Sequence, residues 1–257
     1  MRPFSPRAGR RCREAADEGR HPAGVAPHPA PAAPPSPRAA GRGPSTPVSR
    51  WWLPVLDGPP PAAAPRFAYE IVVVGCSLGG MHALEVILDG LPHDFPVPIA
   101  IVQHRHSASN ETLPSHFRRF SRLPVVDVED KQWIRPGTVY LAPANYHLLV
   151  ERGEFSLSVD EKVRHSRPSV DVLFQSAAEA YGERTIAVVL TGANDDGARG
   201  VQRVKGRGGL VVVQDPDTAE APQMPRAAIA AVAVDQVLRL DQIASYLVGR
   251  CAVPGPA

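Results

Sequence analysis

Beyond residue 69 the apolar positions fall into two kinds of run that take turns along the chain. EIVVVG (70–75), VPIAIVQ (97–103), TIAVVL (185–190) and LVVVQ (210–214) are continuous and rich in β-branched residues, as strands buried on both faces are. Between them the period becomes helical. Gly79 to Gly90 sets Met81, Leu84, Leu88 and, just beyond it, Leu91 on one face, and further helices are predicted over about 109–122 and from Pro168 to about Tyr181. This alternation predicts an α/β fold built on a doubly wound, mostly parallel sheet. In the middle the pattern changes. Residues 138–142, 146–151 and 155–159 are short, alternating and separated by turns, which predicts antiparallel β-hairpins inserted in the sheet. No internal repeat is visible.

Composition divides the chain in two. Of the 29 prolines in the 257 residues, 16 precede Arg66, and residues 1–50 carry nine Arg against Glu14, Asp17 and Glu18. That segment offers too little apolar material to offset the entropy of ordering it, so residues 1–66 are expected to form a disordered Pro/Arg/Ala-rich tail. Trp51 and Trp52 interrupt it, either as a staple onto the domain or as an exposed pair. Met81 is the first methionine after Met1, so a start at Val48 or Val55 is the alternative to a long tail. Residues 67–251 form the expected catalytic domain and 252–257 a disordered carboxyl terminus. With a formal net charge of +2 overall and about +6 in the first fifty residues, the domain itself is slightly acidic. That excludes the basic face of a nucleic-acid binder. No run of 18 apolar residues occurs, so no membrane-spanning helix is predicted, and no apolar stretch follows the Arg10–Arg11 pair as a secretory signal requires. Cys12, Cys76 and Cys251 are odd in number and lack metal-ligand spacing, which fits a reducing cytoplasm.

Ligands of an open parallel sheet bind where loops leave the carboxyl ends of its strands. There the chain places Gly75-Cys76-Ser77-Leu78-Gly79-Gly80, then His104, then Thr191-Gly192-Ala193-Asn194-Asp195-Asp196-Gly197. The first segment matches G-x-S-x-G between a strand and a helix, the setting that exposes a nucleophilic serine on a sharp turn, so Ser77 is the candidate nucleophile. A phosphate-cradling turn is the competing reading, although the spacing is neither G-x-G-x-x-G nor a Walker loop. Cys76 is read as a buried small side chain. His104 is positioned as general base, since an imidazole takes and returns a proton near neutral pH, with His106 as its competitor. His104 and His106 as a metal pair is disfavoured because no nearby carboxylate completes a ligand set. Either Asp195 or Asp196 could orient the imidazole, and Asn-Asp-Asp-Gly could equally be a plain turn. The order Ser, His, Asp differs from the Ser, Asp, His order of α/β-hydrolases.

VVVGCSLGG, IAIVQH, GTVYLAPANYHLLV, RHSRPSVDVLFQSAA and VVLTGANDDGARG, in this order, resemble the catalytic domain of the chemotaxis receptor methylesterase CheB over about residues 69–249. The resemblance implies a doubly wound sheet with a β-hairpin addition. It also implies hydrolysis of glutamate γ-methyl esters on cytoplasmic chemoreceptor helices with release of methanol, and deamidation of glutamine there. By resemblance the nucleophile falls on Ser77, the histidine on His104 and the aspartate on Asp196 rather than Asp195, with backbone donors at Leu78 and Ala193 for the oxyanion. No metal or organic cofactor is implied. Three departures stand out. Family members typically carry an amino-terminal receiver domain where this chain has its Pro-rich segment, so a separate phosphorelay regulator is the expected controlling partner. Thr191-Gly192-Ala193-Asn194 replaces the usual T-G-M-G, and Cys76 and Leu78 flank the serine in place of smaller residues. A serine esterase for another substrate and a non-catalytic binding module are the alternative functions.

Overall fold

The computed structural model describes residues 68–104 and 113–252. The expected tail, Trp51–Trp52, His106 and residues 253–257 lie outside the described residues. Within them the four apolar runs become β1 (Ile71–Cys76), β2 (Ile99–Gln103), β7 (Thr185–Val189) and β8 (Leu210–Gln214). All four are buried along their whole length. Such strands can exist only with both faces covered. Successive β1 side chains accordingly point into two cores: Val72, Val74 and Cys76 pack with α1 (Gly80–Gly90) and α6 (Leu240–Cys251), and Ile71 and Val73 with α3 (Val170–Tyr181), α4 (Ala198–Gly206) and α5 (Gln223–Ala231).

The main sheet has seven strands in the order β3-β4-β2-β1-β7-β8-β9, with β3 Val125–Asp127, β4 Val139–Leu141 and β9 Gln236–Leu238. Every pair in it is parallel. The chain leaves β1 on one side for β2 and returns on the other for β7, so β1 stands at the switch point where such sheets hold their ligands. Register then fixes what meets there. Cys76 lies opposite Gln103 and Gly75 opposite Val189, so Ser77, His104 and the segment after β7 emerge side by side.

The sequence expectation is corrected in three places. Residues 139–141 are not part of an antiparallel hairpin: Ile99 and Val125 both pair with Val139 in parallel, so the short stretch is an interior strand between β2 and β3. The hairpin consists of β5 (His147–Val150) and β6 (Phe155–Ser158) alone and forms its own two-stranded sheet, laid on α3 through Leu148, Val150 and Phe155. The helix expected over 109–122 is α2 (Leu113–Phe117), of five described residues. Ser121 turns the chain back by accepting from the Leu123 N–H at 3.1 Å, and Pro124 leads directly into β3. Pro168 precedes α3 rather than opening it; Ser169 is the capping residue. Among the described residues no helix is long and apolar enough to cross a membrane.

Candidate active site

The segment after β1 is pinned from both sides. The Ser77 N–H donates to the Thr191 carbonyl at 2.9 Å, and the Ser77 carbonyl accepts from Gln103 Nε2 at 2.9 Å. The Thr191 hydroxyl donates to the Leu78 carbonyl at 2.8 Å and accepts from the Ala221 N–H at 2.9 Å. Gly79 then turns the chain into α1 at φ +78°, a left-handed conformation that a side chain would strain. The other wall comes equally close. A Cβ on Gly192 would lie 2.9 Å from the Ser77 Cβ, so only glycine lets the β7 loop pass beside the serine. Cys76 has no part in this surface. It is fully buried, its Sγ donates to Gln103 Oε1 at 2.9 Å, and burial pushes its thiol up, so it stays protonated.

His104 and Asp196 meet directly: imidazole Nε2 lies 2.8 Å from carboxylate Oδ2. The carboxylate is fully buried and the imidazole side chain 11% exposed, so little water screens the pair. Asp196 accepts three further hydrogen bonds. Its Oδ2 takes the Val170 N–H at 2.8 Å, and its Oδ1 takes the Asp171 N–H and the Ser169 hydroxyl, each at 2.9 Å. Both N–H groups belong to the first turn of α3, so Asp196 caps that helix from a different segment and sits at its positive end. Burial by itself would raise the carboxyl, but the hydrogen bonds from His104, Asp171 and Val170 outweigh it and hold the group below its ordinary value.

Asp171 returns the favour to α4. Its Oδ1 accepts the Gly197 N–H at 2.9 Å and the Gly200 N–H at 2.8 Å, and Arg164 Nε lies 3.3 Å from its other oxygen. Burial is the main influence here and holds the Asp171 carboxyl above its ordinary value. The two carboxylates thus lock α3 and α4 together behind His104. Asp171→Ala is expected to cost about 2–3 kcal/mol, since it orphans two buried N–H groups, and denaturant unfolding measures it. The sign with pH follows from the raised value. The folded protein holds this proton more tightly, so the contribution of Asp171 is full below the ordinary carboxylate range and is lost as pH rises through the raised value.

Of the residues singled out in the sequence, His104 and Asp196 are in direct contact and Ser77 follows the neighbouring strand end, while Asp195 points away. Its side chain is 59% exposed and ion-paired with Arg164 Nη1, a hydrogen bond that holds its carboxyl low. Leu78 is 55% exposed at the mouth of the site. Among the described residues the backbone N–H groups of Leu78 and Ala193 have no hydrogen-bond partner, and the Ser77 hydroxyl is not bonded to the imidazole. Among the described residues no cluster of His, Cys, Asp or Glu could hold a metal ion. Gln103, Ser169, Asp171 and Asn194 are contributors that spacing did not reveal. Ser169-x-Asp171 does carry a helix-start signature, but its side chains serve a neighbouring segment rather than their own helix.

A doubly wound parallel sheet with a hydroxyl, an imidazole and a carboxylate at its switch point is the framework of an α/β hydrolytic domain. The chain belongs to the CheB methylesterase family, whose model matches residues 72–247. A Leptospira interrogans relative, provisionally named protein-glutamate methylesterase/protein-glutamine glutaminase, is 48% identical over 181 residues, covering 70% of this chain and 94% of its own length. Protein-glutamate methylesterase/protein-glutamine glutaminase 1 of Carboxydothermus hydrogenoformans is 42% identical over 184 residues, 69% of this chain but 54% of that longer protein. The crystal structure of the Thermotoga maritima CheB methylesterase catalytic domain superposes with a TM-score of 0.67 at 37% identity, covering 70% of this chain and 98% of that one.

Proposed function

We propose that this protein is a protein-glutamate methylesterase in which Ser77, His104 and Asp196 act as one hydrolytic unit. The observation that carries the reading is the 2.8 Å bond between His104 Nε2 and a buried, ionised Asp196, placed beside the serine turn of a CheB family domain. With Nε2 committed to the carboxylate, Nδ1 is the nitrogen available for proton transfer. Ser77 Oγ attacks the ester carbonyl and its proton passes to Nδ1. The N–H groups of Leu78 and Ala193 hold the oxyanion, each contributing on the order of a hundredfold or more in rate. Collapse breaks the C–O bond, and the Nδ1 proton leaves with the methoxy group as methanol. Water then attacks the acyl-serine, passing a proton to Nδ1, which returns it to Ser77 Oγ as the glutamate is freed. The same route with a primary amide releases ammonia, which is the glutaminase activity proposed alongside.

The relatives' names give a protein glutamate as the site of the ester; the proposed substrates are methylated cytoplasmic helices of chemoreceptors. The proposed setting is the cytoplasm, with residues 67–251 as the catalytic domain and a separate phosphorelay protein as regulator. Methanol release from methylated receptor membranes, measured beside a panel of small acyl esters, tests the substrate class. Turnover on the receptors well above that on every small ester is expected. Equal or greater turnover on small esters replaces the proposal with a general serine esterase.

A further inference from the structure

Asn194 touches the proposed general base from the side opposite Asp196. Its Nδ2 lies 3.3 Å from His104 Nδ1, and its Oδ1 accepts the Asp196 N–H at 3.1 Å. The second bond fixes the amide: with the oxygen facing an N–H, the NH2 group must face the imidazole. An NH2 group donates and cannot accept, so Nδ1 presents its lone pair, and the ring proton resides on Nε2, donated to Asp196. An imidazole nitrogen has one lone pair in the ring plane. The serine hydroxyl needs that same lone pair, and in this structure it is not bonded to it.

We infer that Asn194 is a positioning residue that occupies the Nδ1 lone pair of His104 in the resting enzyme and must be displaced before Ser77 can be activated. It holds the imidazole in the productive tautomer while withholding it from the nucleophile, and so acts as an intramolecular brake on the esterase. This rests on the assignment of Ser77 and His104 under the proposed function. The contact is long for a hydrogen bond, so the brake is weak: releasing one neutral hydrogen bond corresponds to about a three- to tenfold change in rate.

Two substitutions give opposite results. Asn194→Ala removes the competing donor while Asp196 still sets the tautomer, so kcat is expected to rise about three- to tenfold with KM unchanged. Asn194→Asp keeps the oxygen that accepts the Asp196 N–H, but sets a carboxylate against Nδ1 that draws a proton onto it, and kcat is expected to fall at least about tenfold. A purely structural role predicts the reverse, with alanine the more damaging because it breaks the turn. The 15N resonance of His104 Nδ1 reports the contact without any turnover. It is expected to move downfield in Asn194→Ala, as a lone pair does on losing a donor. An unmoved resonance, or a kcat in Asn194→Ala at or below that of the parent enzyme, overturns the inference. An inactive parent whose Nδ1 resonance nevertheless shifts on substitution overturns the esterase reading instead.

Discussion

Replacing Ser77 with alanine is expected to lower methanol release by about 10⁴-fold or more while leaving thermal unfolding unchanged. The two halves of that expectation have separate causes. In the proposed mechanism every acyl-transfer step passes through Ser77 Oγ, and a water molecule in its place lacks both the attachment and the alignment that lower the barrier. The fold, by contrast, uses only the backbone of this residue: its N–H is tied to Thr191 and its carbonyl to Gln103. Among the described residues the hydroxyl makes no hydrogen bond whose loss would loosen the turn. Turnover and melting temperature measured on one preparation check both. Retained turnover in Ser77→Ala would remove the nucleophile from the account, whereas a large drop in melting temperature would mean the turn depends on more than its backbone.

Asp196 is expected to behave differently because its carboxylate does two jobs. Asp196→Asn should lower turnover by about 10⁴-fold, since a neutral amide no longer stabilises the imidazolium formed when Nδ1 takes the serine proton. Asp196→Ala should in addition destabilise the fold by about 3–5 kcal/mol, the cost of stranding buried partners of a removed charge. The groups stranded are the Ser169 hydroxyl, the His104 Nε2–H and the Val170 and Asp171 N–H groups at the start of α3. The held-down carboxyl also gives a pH signature. Its stabilisation is present above the ordinary carboxylate range and is lost as pH falls through the lowered folded value. Asp171, held high, contributes in the opposite sense. The acid side of the stability curve should therefore steepen in Asp171→Ala and flatten in Asp196→Ala. Denaturant melts across the carboxylate range measure both slopes, and an unchanged slope in Asp196→Ala would deny that its ionisation supports the fold.

The central strands were legible because their β-branched runs have no other use: a segment such as IVVVGC is apolar on both sides and must be buried on both sides. From that, the placement of Ser77, His104 and the segment after β7 at neighbouring strand ends follows without side-chain detail. Elements with weaker patterns were missed. α4 offers Val201 and Val204 as its only large apolar contacts, and β9 is an exposed three-residue edge. Residues 139–141 read as a hairpin strand because three residues carry no signal of whether their neighbours run parallel or antiparallel; the stretch lies between two parallel partners. Within the site, Asp195 and Asp196 are adjacent and chemically alike. What separates them is tertiary: one faces solvent and Arg164, the other a helix amino terminus and the imidazole. The Asn194 contact joins residues 90 positions apart through an amide orientation, which no spacing rule encodes.

Whether one hydroxyl is made nucleophilic by one imidazole is read by fluorophosphonate labelling followed by peptide mass spectrometry. A single phosphonyl adduct on Ser77 is expected, formed quickly by the native enzyme and slowed by several orders of magnitude in His104→Ala. Labelling of a different residue, or an equal rate at Ser77 without His104, would contradict activation of Ser77 by His104.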